Sequence, residues 1–150
     1  MTKHSKYYYD FTRNMPYEKI VWTNGCFDVL HRGHIELFKY AKSLGDKLIV
    51  GIDSDKKVKK DKGKSRPINK MEDRKFILES IKYIDKVVTF KDTKDLETSI
   101  EIILPDIMVI GSDWEGKTVV GEQYTDKLIF FNRIGNYSTT NILNGETNNI

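Results

Sequence analysis

The stretch Lys19-Ile20-Val21-Trp22-Thr23-Asn24-Gly25-Cys26-Phe27-Asp28-Val29-Leu30-His31-Arg32-Gly33-His34 runs from an apolar segment through a turn into a helical pattern. A strand, a turn and then two histidines flanking a glycine at a helix start form an arrangement suited to a phosphate. Backbone N–H groups at a helix N-terminus attract anions, and a glycine lets a phosphate approach without a Cβ in the way. His31 and His34 add side-chain donors on either side of Gly33.

Outward from this stretch, strand and helix patterns alternate. Residues 19–23 read as a first strand and residues 33–44 as a helix, with Ile35, Phe38, Ala41 and Leu44 on one stripe and Gly45 as its stop. Residues 47–52 form a buried strand. Lys56, Lys57, Lys59, Lys60, Lys62, Lys64 and Arg66 then crowd a segment read as a mobile basic loop, where a plain solvated surface is the alternative. Asn69 and Glu72 stand at N-cap and N3 spacing and open a helix expected to reach about Tyr83. Residues 85–90 supply a third strand, 96–104 a helix, 106–110 a fourth strand and 127–131 a fifth, before a short helix opening at Ser138.

Near-continuous apolar strands separated by helices are the signature of a parallel sheet covered on both faces, with right-handed crossovers. Ligands of such sheets bind beyond the carboxyl ends of the strands, where the strand order reverses. The segment 25–34, the basic loop, the Gly111-Ser112-Asp113-Trp114 turn and the Ser138 segment each follow a strand directly. Four loops are therefore expected on one rim.

Composition bounds the function classes. A chain of 150 residues, 39% hydrophobic, fits one domain with a real core. The single cysteine, Cys26, excludes an internal disulfide and a cysteine-based zinc site. No stretch approaches the roughly 20 apolar residues of a membrane span, and the polar start leads into no signal-like apolar region, so a cytoplasmic location is expected. A formal charge of +3 does not imply nucleic acid but is compatible with an acidic small substrate. Residues 1–17, with Tyr7, Tyr8, Tyr9 and Phe11, lie outside the alternation and read as an extension that packs on the body or on a partner subunit.

Gly25-Cys26-Phe27-Asp28-x-Leu30-His31-x-Gly33-His34 resembles the signature of the cytidylyltransferase-like nucleotidyltransferases, and Ser138-Thr139-Thr140 resembles their second signature. The likeness runs from about Glu18 to Leu143, which makes residues 18–150 the expected nucleotidyltransferase domain. It implies a Rossmann-like three-layer α/β/α sandwich over a five-stranded parallel sheet, and a homodimer. The implied chemistry moves a nucleotidyl group from ATP or CTP to a small phosphorylated sugar or polyol, releasing pyrophosphate. Such a transfer needs positioning and stabilisation of charge on phosphate oxygens, and no covalent nucleophile. No third histidine beside His31 and His34 completes a protein-held metal site, so the implied metal is Mg2+ carried by the nucleotide.

The resemblance casts His31 and His34 as donors to the triphosphate in the transition state. Arg74 has an argument of its own, because Met71, Arg74, Leu78 and Ile81 share one helical stripe and a guanidinium on an apolar face points inward. It serves either the nucleotide phosphates, as the resemblance implies, or a salt bridge with Asp85. In the basic segment Lys62 is implied to serve the phosphates, with Lys60 in reserve near the acceptor. The resemblance also places Thr23, Gly25, Cys26, Phe27 and Gly33 against the nucleotide from the first signature, and Asp113, Arg133, Ser138 and Thr139 from the later loops. Ser138 is equally suited to cap its helix. Asp28 is structural or faces the substrate, and Ser112 lies by the acceptor.

Two branches of the family compete. Asn24-Gly25-Cys26-Phe27, Arg66-Pro67-Ile68-Asn69 and Tyr137-Ser138-Thr139-Thr140-Asn141-Ile142 resemble the heptose 1-phosphate adenylyltransferases. Gly111-Ser112-Asp113-Trp114-Glu115-Gly116-Lys117 and Arg133 resemble glycerol-3-phosphate cytidylyltransferase, but Ser112 stands where those enzymes carry the first of consecutive aspartates. Adenylyl transfer to a sugar phosphate is the expectation. A non-catalytic nucleotide-binding module is the alternative of another class, and the retention of both histidines, Arg74, the lysines and Ser138-Thr139-Thr140 argues against it.

Overall fold

The protein is described by a computed structural model over residues 9–10, 15–135 and 137–145. A minimal antiparallel pair, β1 (Tyr9–Asp10) and β2 (Met15–Pro16), precedes the main sheet. The rest of the N-terminal aromatic segment lies outside the described residues. Tyr17 closes the expected extension, and its hydroxyl donates to the Asp106 carboxylate.

The apolar runs form five strands: β3 (Ile20–Gly25), β4 (Lys47–Asp53), β5 (Lys86–Phe90), β6 (Ile107–Gly111) and β7 (Lys127–Phe131). All pairings are parallel, in the order β5-β4-β3-β6-β7. Five helices connect or follow them: α1 (Arg32–Ser43), α2 (Asp55–Lys62), α3 (Met71–Glu79), α4 (Thr93–Ile103) and α5 (Thr139–Leu143). Successive strand side chains point to opposite faces, and the core divides accordingly. Val21, Leu48, Val50 and Val109 pack with Phe38, Ala41 and Leu78 of α1 and α3, whereas Trp22, Ile49, Met108 and Ile110 pack with Leu96 and Ile100 of α4. The result is the expected three-layer, Rossmann-like sandwich.

The chain builds outward from β3 through β4 to β5, then crosses to β6 and β7 on the other side. The order therefore reverses between β3 and β6. Registered pairing between these two strands covers only Val21 with Ile107 and Trp22 with Met108, although β3 continues to Gly25 and β6 to Gly111. Their carboxyl ends separate, which opens a crevice where a doubly wound sheet binds ligands.

The basic segment corrects the expectation of a mobile loop. As far as Lys62 it is the helix α2, capped by Ser54, whose Oγ accepts from the Lys57 N–H at 3.2 Å, and of its basic residues only Lys64 and Arg66 lie beyond it. Asp55 in its first turn and Lys59, Lys60 and Lys62 in its last complement the helix dipole, and Val58 is fully buried beneath it. The expected helix at Asn69 is also corrected. α3 begins at Met71 and ends at Glu79 rather than Tyr83. Asn69 cannot cap it because Asp28 holds both its backbone N–H and its side-chain amide, so the Met71 N–H donates to Asp55 instead. α4 starts earlier than residue 96, since Asp92 caps it by accepting from the Asp95 N–H at 2.7 Å.

Candidate nucleotide-transfer site

Two cavities flank the crevice. The smaller, of about 280 Å3, is lined by His31, Gly33 and His34 from α1, by Ser112, Asp113 and Arg133 after β6 and β7, and by Ser138, Thr139 and Thr140. The larger, of about 570 Å3, is lined by Asn24, Gly25 and Cys26 at the end of β3, by Asp53, Lys57 and Asp61, and by Trp114 among others. Lys62 borders both.

His31 is the N-cap of α1 and His34 sits in its first turn. The His31 N–H donates to His34 Nδ1 at 3.2 Å, and the two rings stack with centroids 3.8 Å apart. Gly33 is required here, because a Cβ at that position would lie 2.8 Å from His31 Cε1. Phe27 meets His34 edge-on at 5.4 Å and Phe38 at 5.1 Å, so the core supports the histidine turn from below. Phe27 itself has φ 50, an uncommon conformation for a bulky residue that this packing sustains.

Because Nδ1 of His34 accepts a hydrogen bond, the neutral ring carries its proton on Nε2. Burial pushes the His34 pKa down to about 3, and His31 and Lys62 beside it add to the effect. His34 is therefore a neutral donor at physiological pH. Burial also lowers His31, with Arg133 contributing. The Nδ1 atom of His31 is buried without a hydrogen-bond partner, a polar atom for a ligand to meet.

The His34 shift fixes a sign for stability. The unfolded chain takes up a proton on this residue below about 6.5, while the folded chain does so only near 3. Stability is thus expected to decline as pH falls from 6.5 toward 3. An NMR titration should show the His34 ring unchanged between pH 5 and 8, and a midpoint near 6.5 would contradict the buried neutral tautomer.

The cytidylyltransferase-like family model matches residues 22–144. The chain belongs to that family. As a cytidylyltransferase-like chain it is a nucleotidyltransferase domain. It is 47% identical over 126 residues to the Bifunctional protein HldE of Aliarcobacter butzleri, covering 84% of this chain and 26% of that protein. It is 49% identical over 115 residues to the HldE protein of Wolinella succinogenes, covering 75% of this chain and 24% of the relative. The chain thus spans about a quarter of the length of these relatives. Among solved structures, the lipopolysaccharide core biosynthesis protein from Thermoplasma volcanium superposes with a TM-score of 0.65 at 25% identity, covering 78% of this chain and 98% of that one. The pantoate-beta-alanine ligase from Francisella tularensis shares the fold, with a TM-score of 0.55 at 18% identity, over 84% of this chain and 68% of its own.

Within this cytidylyltransferase-like fold the expected site residues separate into three groups. Those brought to the smaller cavity are His31, Gly33, His34, Ser112, Asp113, Arg133, Ser138 and Thr139, and Lys62 joins them from α2. Arg133 donates to Asp113 at 3.0 Å across its mouth, where both side chains are exposed. Ser138 also caps α5, accepting from the Asn141 N–H at 2.9 Å, and the Thr139 hydroxyl donates to the Val29 carbonyl at 2.7 Å. Gly25 and Cys26 open onto the larger cavity instead, where burial pushes the Cys26 thiol pKa up and keeps it protonated.

A second group is committed to the protein. Arg74 is fully buried, and its guanidinium donates to the carbonyls of Asn69, Cys26 and Asp53 and to the Asp55 carboxylate at 2.8–3.0 Å. The anion facing it is Asp55 and not Asp85, which pairs with Lys42 at 2.6 Å. Of the two readings of Asp28, the geometry matches the structural one: its buried carboxylate accepts from Arg66 Nε at 3.1 Å and from the N–H groups of Ile68 and Asn69 at 2.7 and 2.8 Å. The third group lies away from both cavities: Lys60 is exposed on α2, Thr23 is buried in β3 and the Phe27 ring belongs to the core.

Burial alone would raise the Asp28 pKa, but the hydrogen bonds from Asn69, Ile68 and Arg66 outweigh it and hold the carboxylate below 3.8. A depressed pKa contributes stability above the unfolded value that is lost as pH falls through the folded one. Asp28→Asn should cost about 2–3 kcal/mol at neutral pH and flatten the loss of stability below pH 4. Urea unfolding at pH 7 and pH 3 measures both.

Lys57, Asp53 and Asp61 are functional candidates that the sequence reading missed. Lys57 Nζ lies 2.7 Å from Asp61 and 3.5 Å from Asp53. The four-residue spacing of Lys57 and Asp61 was the available signal, since residues at i and i+4 meet on a helix face, but a segment read as a loop concealed it; Asp53 joins them from the end of β4.

Proposed function

We propose that the chain transfers an adenylyl group from ATP to a heptose 1-phosphate, forming an ADP-sugar and releasing pyrophosphate. The observation that carries the transfer reading is the neutral His34, which lines a cavity at the strand-order reversal and has only Nε2–H left to donate. An oxygen of the acceptor phosphate attacks the α-phosphorus as the bond to the pyrophosphate bridging oxygen breaks in line. That oxygen is already ionised at neutral pH, so no general base is required. His34 Nε2–H and the N-terminus of α1 stabilise charge on the transferring phosphoryl oxygens, and Lys62, bordering both cavities, draws the two phosphates together.

Mg2+ enters with the triphosphate as part of the substrate and screens its charge. The identities to HldE proteins and the likeness to a lipopolysaccharide core biosynthesis protein support a sugar acceptor. Cytidylyl transfer to glycerol 3-phosphate is the second reading, favoured by the Arg133–Asp113 pair at the smaller cavity.

Pyrophosphate release, followed with ATP, CTP, GTP and UTP against heptose 1-phosphate and glycerol 3-phosphate, separates the readings. The expected active pair is ATP with heptose 1-phosphate. Release only from CTP with glycerol 3-phosphate selects the second reading, and silence from every pair leaves a nucleotide-binding module.

A further inference from the structure

The larger cavity is lined by two unlike kinds of side chain: Leu96, Ile110, Trp114, Val119 and Val120 are apolar, while Asn24, Asp53, Lys57, Asp61, Lys62 and Thr93 are polar. Leu96, Ile110 and Val119 are buried, whereas Trp114 is 50% exposed on the turn after β6 and is the one aromatic residue of the lining. Lys117, which is not among the lining residues, holds its ammonium 5.8 Å from the indole centroid. A half-exposed indole in a partly apolar lining offers area for the C–H face of a ring. The same lining holds carboxylates, which accept from hydroxyls, and ammonium groups, which take an anion. A ring with hydroxyls on its rim and a phosphate at one end suits both kinds of side chain, and Lys62 borders the histidine cavity as well. A three-carbon polyol has no ring face for the indole.

We propose that the larger cavity binds a phosphorylated ring sugar, with Trp114 as the platform for the ring and Asp53 and Asp61 as acceptors for its hydroxyls. This assignment rests on the transfer reading above and names the acceptor class by shape. It also makes Trp114 a specificity residue.

The chain has two tryptophans, Trp114 and the fully buried Trp22, whose Nε1–H donates to Asn24, so the Trp114→Ala variant separates the emission of the two. With a non-hydrolysable ATP analogue present, heptose 1-phosphate or mannose 1-phosphate should shift tryptophan emission saturably. Glycerol 3-phosphate and inorganic phosphate should not. Trp114→Ala should abolish the shift and raise the KM for sugar phosphate roughly ten-fold, with the KM for ATP unchanged, and Trp114→Phe should recover most of that loss. An equal saturable shift with glycerol 3-phosphate, or an unchanged sugar KM in Trp114→Ala, overturns the proposal. If no pair releases pyrophosphate, the transfer reading fails while the emission titration still decides the role of Trp114.

Discussion

Replacing His34 by asparagine should lower turnover by about two to three orders of magnitude while leaving the melting temperature within a few degrees of the unaltered protein. Nδ1 of His34 accepts from the His31 N–H, and asparagine Oδ1, at the same distance from the backbone, can take over that bond. What asparagine lacks is the donor at the Nε2 position. The substitution therefore removes the group proposed to meet phosphate and keeps the one that orders the start of α1. His34→Ala removes both, and should add about 1 kcal/mol of destabilisation from the lost cap. Steady-state kinetics beside thermal melting checks the pair. Near-normal turnover in His34→Asn would show that the ring is structural, and a collapse in its melting temperature would say the same.

Arg74→Ala should cost about 3–5 kcal/mol, read as a fall of roughly 10 °C in melting temperature for a chain of this size. The guanidinium ties the ends of β3 and β4 to the start of α3 through Cys26, Asp53, Asn69 and Asp55. Alanine leaves the Cys26 and Asp53 carbonyls without this partner, whereas Asp55, whose side chain is partly exposed, can turn to water. Lysine should not rescue the loss, because one ammonium cannot span four acceptors arranged around a planar fork. A variant that melts normally but has lost turnover would instead place Arg74 on the nucleotide phosphates.

The sheet was legible because strands covered on both faces are near-continuous apolar runs, and β3 through β7 all follow them. The histidine pair was legible because its spacing in the chain is its geometry in the fold. α2 was not, since its single buried anchor, Val58, sits among charges and gives no apolar stripe; its helical state comes from Ser54, the dipole and Lys57–Asp61 pairing. Arg74 read correctly as an inward charge and Asp28 was left open between a structural and a substrate role, but their partners lie far along the chain, at Cys26 and Asp53 for one and from Arg66 to Asn69 for the other. Periodicity identifies a buried face and not the groups that meet it. The larger cavity was hidden for a similar reason, because Trp114 and Lys57, far apart in the chain, both line it only in the folded protein.

The most direct test of nucleotidyl transfer is a phosphorus NMR spectrum of the protein incubated with ATP, Mg2+ and heptose 1-phosphate. The account predicts that the sugar phosphate and triphosphate resonances are replaced by those of pyrophosphate and a sugar-linked diphosphate ester, in equal amounts. Formation of ADP with free phosphate or a phosphorylated sugar, in place of pyrophosphate, would contradict it.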